Sequence, residues 1–373
     1  MTDRAAAVDA TLSTETCAST PLVHLQQQRT SRVLCGDAFD LFDELPSSSI
    51  DLVLTSPPYW GHRDYGLGHN WQFFNDIPAV RQIGPVTPGH DWYRRAGGVL
   101  GLEPYPEWYV VHLADVLTKA ARPLKSGGSM WINVGDTYFA RWASIRDEGR
   151  QGLGSETRQR RKTPLGGGLR QEKQLLLIPA RFAIAMQERG WILRNDVIWH
   201  KPNAVPRPES DRLKNAHEHF FHFVKKPRAG RAKYYYDSAR AEQRACDVVS
   251  VNVAPGEGGH TATFPRELIV PRILTSSPRG GTVLDPFCGT GRTLEVARAL
   301  DRNAIGFDAQ RKFAELASSK LDSPPTVRIS SENSTERQRE LCWRMVRPAD
   351  LSLSPPRRRA NHGGERVKMP VPQ

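Results

Sequence analysis

The sequence predicts an α/β fold: a mixed, mostly parallel sheet with helices on both faces. Short apolar runs alternate with segments whose apolar residues recur at helical spacing. One run, Ile50 to Leu54, is apolar at almost every position, as a strand covered on both faces would be. Another, Thr282 to Asp285, ends in an acid and turns through glycines into a helix, the way such sheets bind ligands at strand ends.

The elements follow in order. Residues 1–29 are rich in Ala, Ser and Thr without an apolar period and read as a flexible arm. Arg32 to Cys35 is a short strand ending at Gly36-Asp37, and Pro57-Pro58 stops the strand that begins at Ile50. Residues 61–105 form a long insertion rich in Gly, Pro and aromatics. Helical spacing of Val110, Val111, Leu113, Val116, Leu117 and Ala120 predicts a helix over 107–122. Gly127-Gly128 then leads into a strand from Ser129 to Val134. A second insertion, 138–173, is crowded with Arg and Gly. Beyond it a helix is expected over 175–189 and strands over 191–200 and 219–225. The stretch 226–260 is basic and irregular. Next come a helix over 264–274, the strand 282–285, a helix over 290–300, a strand over 304–307 and a helix over 311–321. From 324 to 373 the composition turns to Ser, Pro, Arg and Glu, a basic mobile tail. The expectation is one domain over 30–323.

The 373 residues allow a large buried core. The net charge of +12 favours a polyanionic partner. Five cysteines without a CxxC pair argue against a zinc site or a disulfide framework, and suit a reducing cytoplasm. The N-terminus lacks the apolar run of a signal peptide, and no stretch has the length needed to span a bilayer. His217-Glu218-His219 offers alternate residues on one strand face but no third ligand, so it reads as strand-face polar residues and no metal is expected.

Two motifs carry chemistry. In Asp285-Pro286-Phe287-Cys288-Gly289-Thr290-Gly291 the glycines let a ligand approach the backbone. Asp308 closes the next strand, where an acid can accept hydrogen bonds from ribose hydroxyls. The string resembles the S-adenosylmethionine loop of DNA amino-methyltransferases. The resemblance implies that Asp285, Phe287, Gly289, Thr290, Gly291 and Asp308 hold the cofactor, with Thr263 and Phe264 near its methionine part. It also places Asp37 near the adenine ring, although Gly36-Asp37 reads equally well as a strand-ending turn. None of the cysteines follows a proline, as a ring-carbon methylating thiolate would, and Cys288 reads as a small packing residue.

The second motif is Thr55-Ser56-Pro57-Pro58-Tyr59-Trp60. An exocyclic amine is a poor nucleophile because its lone pair is delocalised. Ser56 Oγ and the Pro57 carbonyl can accept its hydrogens, Pro57 and Pro58 stiffen the turn, and Tyr59 offers a flat face to an unstacked base. The segment resembles the catalytic motif of cytosine-N4 methyltransferases; adenine-N6 enzymes more often carry Asp or Asn at the position of Ser56. Asp196 to Asn203 resembles the strand flanking the target-base pocket, which implies substrate contacts from Lys201, Asn203 and Trp199, with Trp60 beside them, although Trp199 also reads as core, as an aromatic in a strand usually is. The motif order resembles the circularly permuted β-type enzymes over residues 32–321, and implies their Rossmann-like, seven-stranded sheet.

The resemblance implies S-adenosyl-L-methionine as cofactor and double-stranded DNA as partner. It is compatible with a cognate restriction endonuclease and with a monomer or homodimer. Three inserted segments, 61–105, 138–173 and 203–260, are expected to recognise DNA, with Arg160, Arg161 and Lys162 as basic contacts. The aromatics Trp71, Phe73, Phe74, Trp92 and Tyr93 fit either base contact or a local satellite core. The alternatives are an adenine-N6 enzyme with the same machinery, a methyltransferase of RNA or protein, and an inactive DNA-binding regulator of the same fold.

Overall fold

The computed structural model describes residues 31–76, 87–140, 142–144, 146–147, 160–163, 169–204, 210–240, 246–253 and 264–323. The expected arm and tail, 1–29 and 324–373, lie outside the described residues.

Among the described residues the main sheet has eight strands, in the order β1-β12-β11-β2-β4-β9-β8-β10. They are β1 (Arg32–Cys35), β2 (Ile50–Thr55), β4 (Leu124–Val134), β8 (Trp191–His200), β9 (His217–Lys225), β10 (Val248–Ser250), β11 (Thr282–Asp285) and β12 (Asn303–Asp308). Every neighbouring pair is parallel except those made by β9, which runs against both β4 and β8. The sheet is thus mixed and mostly parallel, as expected. The eighth strand is β10, paired with β8 from Val248↔Ile198 to Ser250↔His200. Its three residues, half-buried at most, leave no alternating pattern for a sequence reading to find.

Two apolar layers sandwich the sheet. On one face lie α1 (Ala38–Glu44), α4 (Pro106–Thr118) and α5 (Ile178–Glu188); on the other α6 (Arg266–Ser276), α7 (Arg292–Ala299) and α8 (Arg311–Asp322). Strand periodicity divides the residues between them. Val53, Phe221, Phe223, Leu284 and Phe307 face the first layer, while Leu52, Leu54, Phe220 and Val283 face the second. Each such side chain contributes about 1.5–3 kcal/mol by leaving water. All six residues of β2 are buried, so its one charge needs a partner. Asp51 accepts from Lys125 Nζ at 2.8 Å and from the Thr282 N–H at 2.8 Å, which clamps the starts of β2, β4 and β11 together.

The 61–105 insertion has structure of its own. Its described residues hold the two-residue strand β3 (Arg63–Asp64) and the short helices α2 (Trp71–Asn75) and α3 (His90–Arg95). Phe74 and Tyr93 join Trp108 of α4 in a satellite core, with Phe73 packed against it. These aromatics are local core, while Trp92 remains 39% exposed. In the 138–173 insertion, β6 (Arg146–Asp147) pairs with β3, and β5 (Trp142–Ser144) pairs with β7 (Arg160–Lys162).

Candidate active site

The strand order sets the site. From β11 the chain steps outward to β12, beside which the first strand β1 lies, and from β2 it steps the opposite way to β4, so a crevice opens at the carboxyl ends of β11 and β2. Thr55 ends β2 and Asp285 ends β11, and Thr55 Oγ1 donates to Asp285 Oδ1 at 2.5 Å. The same oxygen accepts the Phe287 N–H at 3.1 Å. Burial pushes the Asp285 pKa up to about 6, against the pull of its hydrogen bonds from Thr55, Thr293 and Phe287. This carboxylate joins the two halves of the sheet where the crevice begins.

The glycine loop is built for close approach. Gly289 and Gly291 have φ of 51° and 80°, in the left-handed region that favours glycine. At Gly291 a Cβ would also lie 2.8 Å from the Ala317 Cβ, so its bareness lets α8 pack against the loop. Asp308 fixes the loop from β12: its Oδ2 accepts the Gly289 N–H and its Oδ1 the Gln310 N–H, both at 2.9 Å. Asp37 sits at the start of α1 and accepts the Phe39 N–H at 2.8 Å, a helix N-cap as well as a wall residue of the crevice. Cys288 is buried, its thiol pKa is raised by that burial, and it packs under Gly306.

Asp37, Asp285, Cys288, Gly289, Thr290 and Asp308 line a cavity of about 860 Å³ that also takes in Phe264, Phe287 and the Ser56–Tyr59 turn, whereas Gly291, expected at the cofactor, is not on its wall and instead lets α8 pack against the loop. Its donors and acceptors fit an adenosyl group. Bare backbone at the glycines allows contact, carboxylates at the ends of β1 and β12 suit hydroxyl and amine donors, and two phenylalanines supply apolar walls. Thr263 lies outside the described residues.

On the other side of the cavity Pro57 is buried, and the Pro58 carbonyl accepts from Tyr109 Oη of α4 at 2.7 Å, which holds the turn. Gly135 makes room for the Tyr59 ring; a Cβ there would lie 2.7 Å from Tyr59 Cε2. The Tyr59 hydroxyl donates to Glu218 Oε2 at 2.7 Å and accepts from Asn133 Nδ2 at 2.6 Å. Asn133 Nδ2 also reaches Glu218 Oε2 at 2.6 Å, and Lys201 Nζ pairs with Glu218 Oε1. Burial, and then the charge of Glu218, raise the Tyr59 pKa well above the usual phenol value, so Tyr59 stays protonated.

The contacts of Trp60 and Asn203 differ from expectation, and the surroundings of the other residues singled out in the sequence follow. Trp60 is not a wall of the cavity: it is 3% exposed, lies in the first apolar layer, and donates its indole N–H to the Glu103 carbonyl at 3.0 Å. An aromatic directly after the tyrosine points the opposite way, into the core. Asn203 binds the Val253 backbone, accepting its N–H at 2.7 Å and donating to its carbonyl at 3.3 Å, and so ties two loops together. Trp199 is 5% exposed and donates to the Val251 carbonyl at 2.8 Å, yet it touches the cavity and carries the Lys201 ammonium 5.0 Å above its ring. Arg160, Arg161 and Lys162 form β7, outside the main sheet, and their side chains lie outside the described residues. Glu218 and Asn133, missed in the sequence, are brought in by the sheet. Glu218 was masked by the histidines on either side of it, whereas a lone polar residue in the apolar run of β4 was a usable signal for Asn133.

Among the described residues no group of three or more His, Cys, Asp or Glu is placed to hold a metal ion, and no helix is long and apolar enough to cross a membrane.

The chain matches the family model of the DNA methylases (N6 and N4 methyltransferases) over residues 50–319. It is 34% identical over 303 residues to the Type II methyltransferase M.SmaI of Serratia marcescens, covering 79% of this chain and 91% of that one. It is likewise 34% identical over 306 residues to the Type II methyltransferase M.Cfr9I of Citrobacter freundii, covering 79% and 90%. Among solved structures the PvuII DNA methyltransferase, described as cytosine-N4-specific, superposes with a TM-score of 0.52 at 18% identity over 84% of this chain and 92% of that one, a likeness of fold.

Proposed function

The chain belongs to the DNA methylase family, and from that premise we propose that it methylates the N4 amine of cytosine in duplex DNA. It is a DNA methyltransferase of the N6/N4 kind, and its cofactor is S-adenosyl-L-methionine. The single observation that carries the finer reading is Ser56: a neutral hydroxyl, in place of the acid or amide more common in adenine-N6 enzymes, follows the last residue of β2 and faces the cavity.

The cofactor supplies a methyl group on a sulfonium. The protein's part is positioning, which accounts for most of the acceleration in an in-line transfer. Asp308, held by two backbone N–H groups, would offer its remaining lone pairs to ribose hydroxyls, and Phe287 with Gly289 and Thr290 would enclose the adenosyl part. Phe264 and Asp37 also line the cavity, and the family resemblance would put Phe264 at the methionine part and Asp37 at the adenine. Ser56 Oγ and the Pro57 carbonyl accept the two amine hydrogens, which raises electron density on the nitrogen as it attacks. The Tyr59 ring offers the base a face once it has left the helix.

Arg63, Arg95, Arg212 and Arg292 on the cavity wall, with the net charge of +12, suit a phosphate backbone. The catalytic domain spans 30–323. Phe73, Phe74 and Tyr93 of 61–105 serve the satellite core, so in this reading sequence recognition falls mainly to 138–173 and 203–260. The Type II relatives suggest a companion restriction endonuclease.

Incubation with mixed-sequence duplex DNA and labelled cofactor, digestion to nucleosides and mass spectrometry test the proposal. Labelled N4-methylcytosine is the expected product. Labelled N6-methyladenine would leave the family and cofactor intact and remove the weight placed on Ser56.

A further inference from the structure

We propose that Glu218 is a positioning residue at the end of a hydrogen-bond relay, Ser56 to Tyr59 to Glu218, which polarises the Ser56 hydroxyl and takes up the proton that the methylated amine releases. The proposal rests on the methyl-transfer reading above.

The relay is defined by donor accounting. Tyr59 has one proton, and Glu218 Oε2 at 2.7 Å is an ionic acceptor for it. The Asn133 amide donates to Tyr59 Oη and to Glu218 Oε2, both at 2.6 Å, so it orients the phenol and the carboxylate together. Ser56 Oγ donates to Tyr59 Oη at 3.4 Å, long for two hydroxyls but in the required direction. With its proton turned toward Tyr59, the Ser56 oxygen presents lone pairs to the cavity, where an amine hydrogen would arrive. Glu218, itself on the cavity wall, is thereby linked through Tyr59 to the acceptor oxygen of Ser56. Its charge is held by Lys201 on the other oxygen, and both residues are mostly buried.

The balance of the step requires such an acceptor. The nitrogen lone pair forms the bond to the methyl carbon, and the electron pair of the broken sulfur–carbon bond stays on sulfur. The nitrogen therefore carries one proton too many. That proton moves to Ser56 Oγ, the Ser56 proton to Tyr59 Oη, and the Tyr59 proton to Glu218 Oε2. Both hydroxyls end as they began, Glu218 ends as a neutral acid, and solvent restores it. The high pKa of Tyr59 keeps its proton in place until the chain of transfers begins.

Three variants test this: Glu218→Gln, Tyr59→Phe and the double variant. Tyr59→Phe keeps the ring for stacking and removes only the hydroxyl. Each is measured by single-turnover methyl transfer at saturating DNA, by KM for DNA and by calorimetric binding of S-adenosylmethionine. The expected result is a fall on the order of 10²-fold in the single-turnover rate for each single variant, with KM and cofactor affinity within about twofold of wild type. The double variant should be no slower than the worse single, because both break one chain. A Glu218→Gln enzyme at the wild-type rate, or losses that multiply in the double variant, would overturn the relay. If Glu218→Gln fails to bind cofactor, Tyr59→Phe decides alone, and a wild-type rate there also overturns it. A wild-type chain that binds cofactor but transfers no methyl group to DNA sinks the functional reading itself, which is distinct from an active wild type with silent variants.

Discussion

Replacing Asp285 by Asn probes the carboxylate that joins β2 to β11. Asp285 is 4% exposed, and burial pushes its pKa up to about 6. In the unfolded chain it returns to about 3.9. An acid whose pKa is higher in the folded state binds more protons there, so its favourable contribution is present below the unfolded value and is lost as pH rises through the folded one. At 1.36 kcal/mol per pKa unit, the gap corresponds to roughly 3 kcal/mol of stability lost by about pH 8. Asn has nearly the same shape, keeps an oxygen for Thr55 and the Phe287 N–H, and carries no charge. Any damage at its other atom is independent of pH. Urea unfolding of both proteins, followed by circular dichroism from about pH 4 to pH 8, isolates the effect, because all other titrating groups cancel in the difference. The variant is expected to gain roughly 2–3 kcal/mol on the wild type across that range. Parallel stability curves would refute the reasoning and mean that Asp285 enters the folded protein without a desolvation penalty.

Other outcomes follow from the same geometry. Ser56→Ala should lower turnover on the order of 10²-fold while leaving calorimetric cofactor affinity almost unchanged; equal losses in both would remove Ser56 from the amine. Asp308→Ala should weaken cofactor binding on the order of 10-fold or more, since it removes a charged acceptor and frees the Gly289 N–H, and an unchanged affinity would exclude it from the ribose site. Gly291→Ala puts a Cβ at positive φ and 2.8 Å from Ala317, and should destabilise the fold by roughly 2–4 kcal/mol in urea titration; a loss below about 0.5 kcal/mol would show that α8 gives way freely.

The central sheet was legible because its strands carry their own signal. Ile50 to Leu54 is apolar on both faces, and Thr282 to Asp285 leads straight into glycines. The glycine loop was legible for the same local reason. The base-side cluster was only half legible. Ser56 to Tyr59 stand together in sequence, but Glu218 reaches Tyr59 across 159 positions, and only the antiparallel course of β9 brings its first residues to the carboxyl edge of β4. No local pattern encodes that meeting. Trp60 misled for a related reason: adjacency to a site residue says little about direction, and a contact with Glu103 turns it inward. The helix α1 was missed because seven residues give less than two full periods, although Asp37 caps it.

The join between Thr55 and Asp285 also sets a timetable for synthesis. The two residues are 230 positions apart, so β2 leaves the ribosome long before the strand that fills its open edge. At about 5–20 residues per second, the nascent chain waits roughly 10–50 s with that edge unpaired. β4 covers the other side sooner, but the face meant for β11 stays an apolar template for any neighbouring chain. The permuted order thus leaves a late-made stretch, residues 264–323, to fill the open edge of β2. A chain halted before residue 264 is expected to aggregate instead of settling into a smaller domain, and its yield should depend on chaperones more than that of the full-length protein.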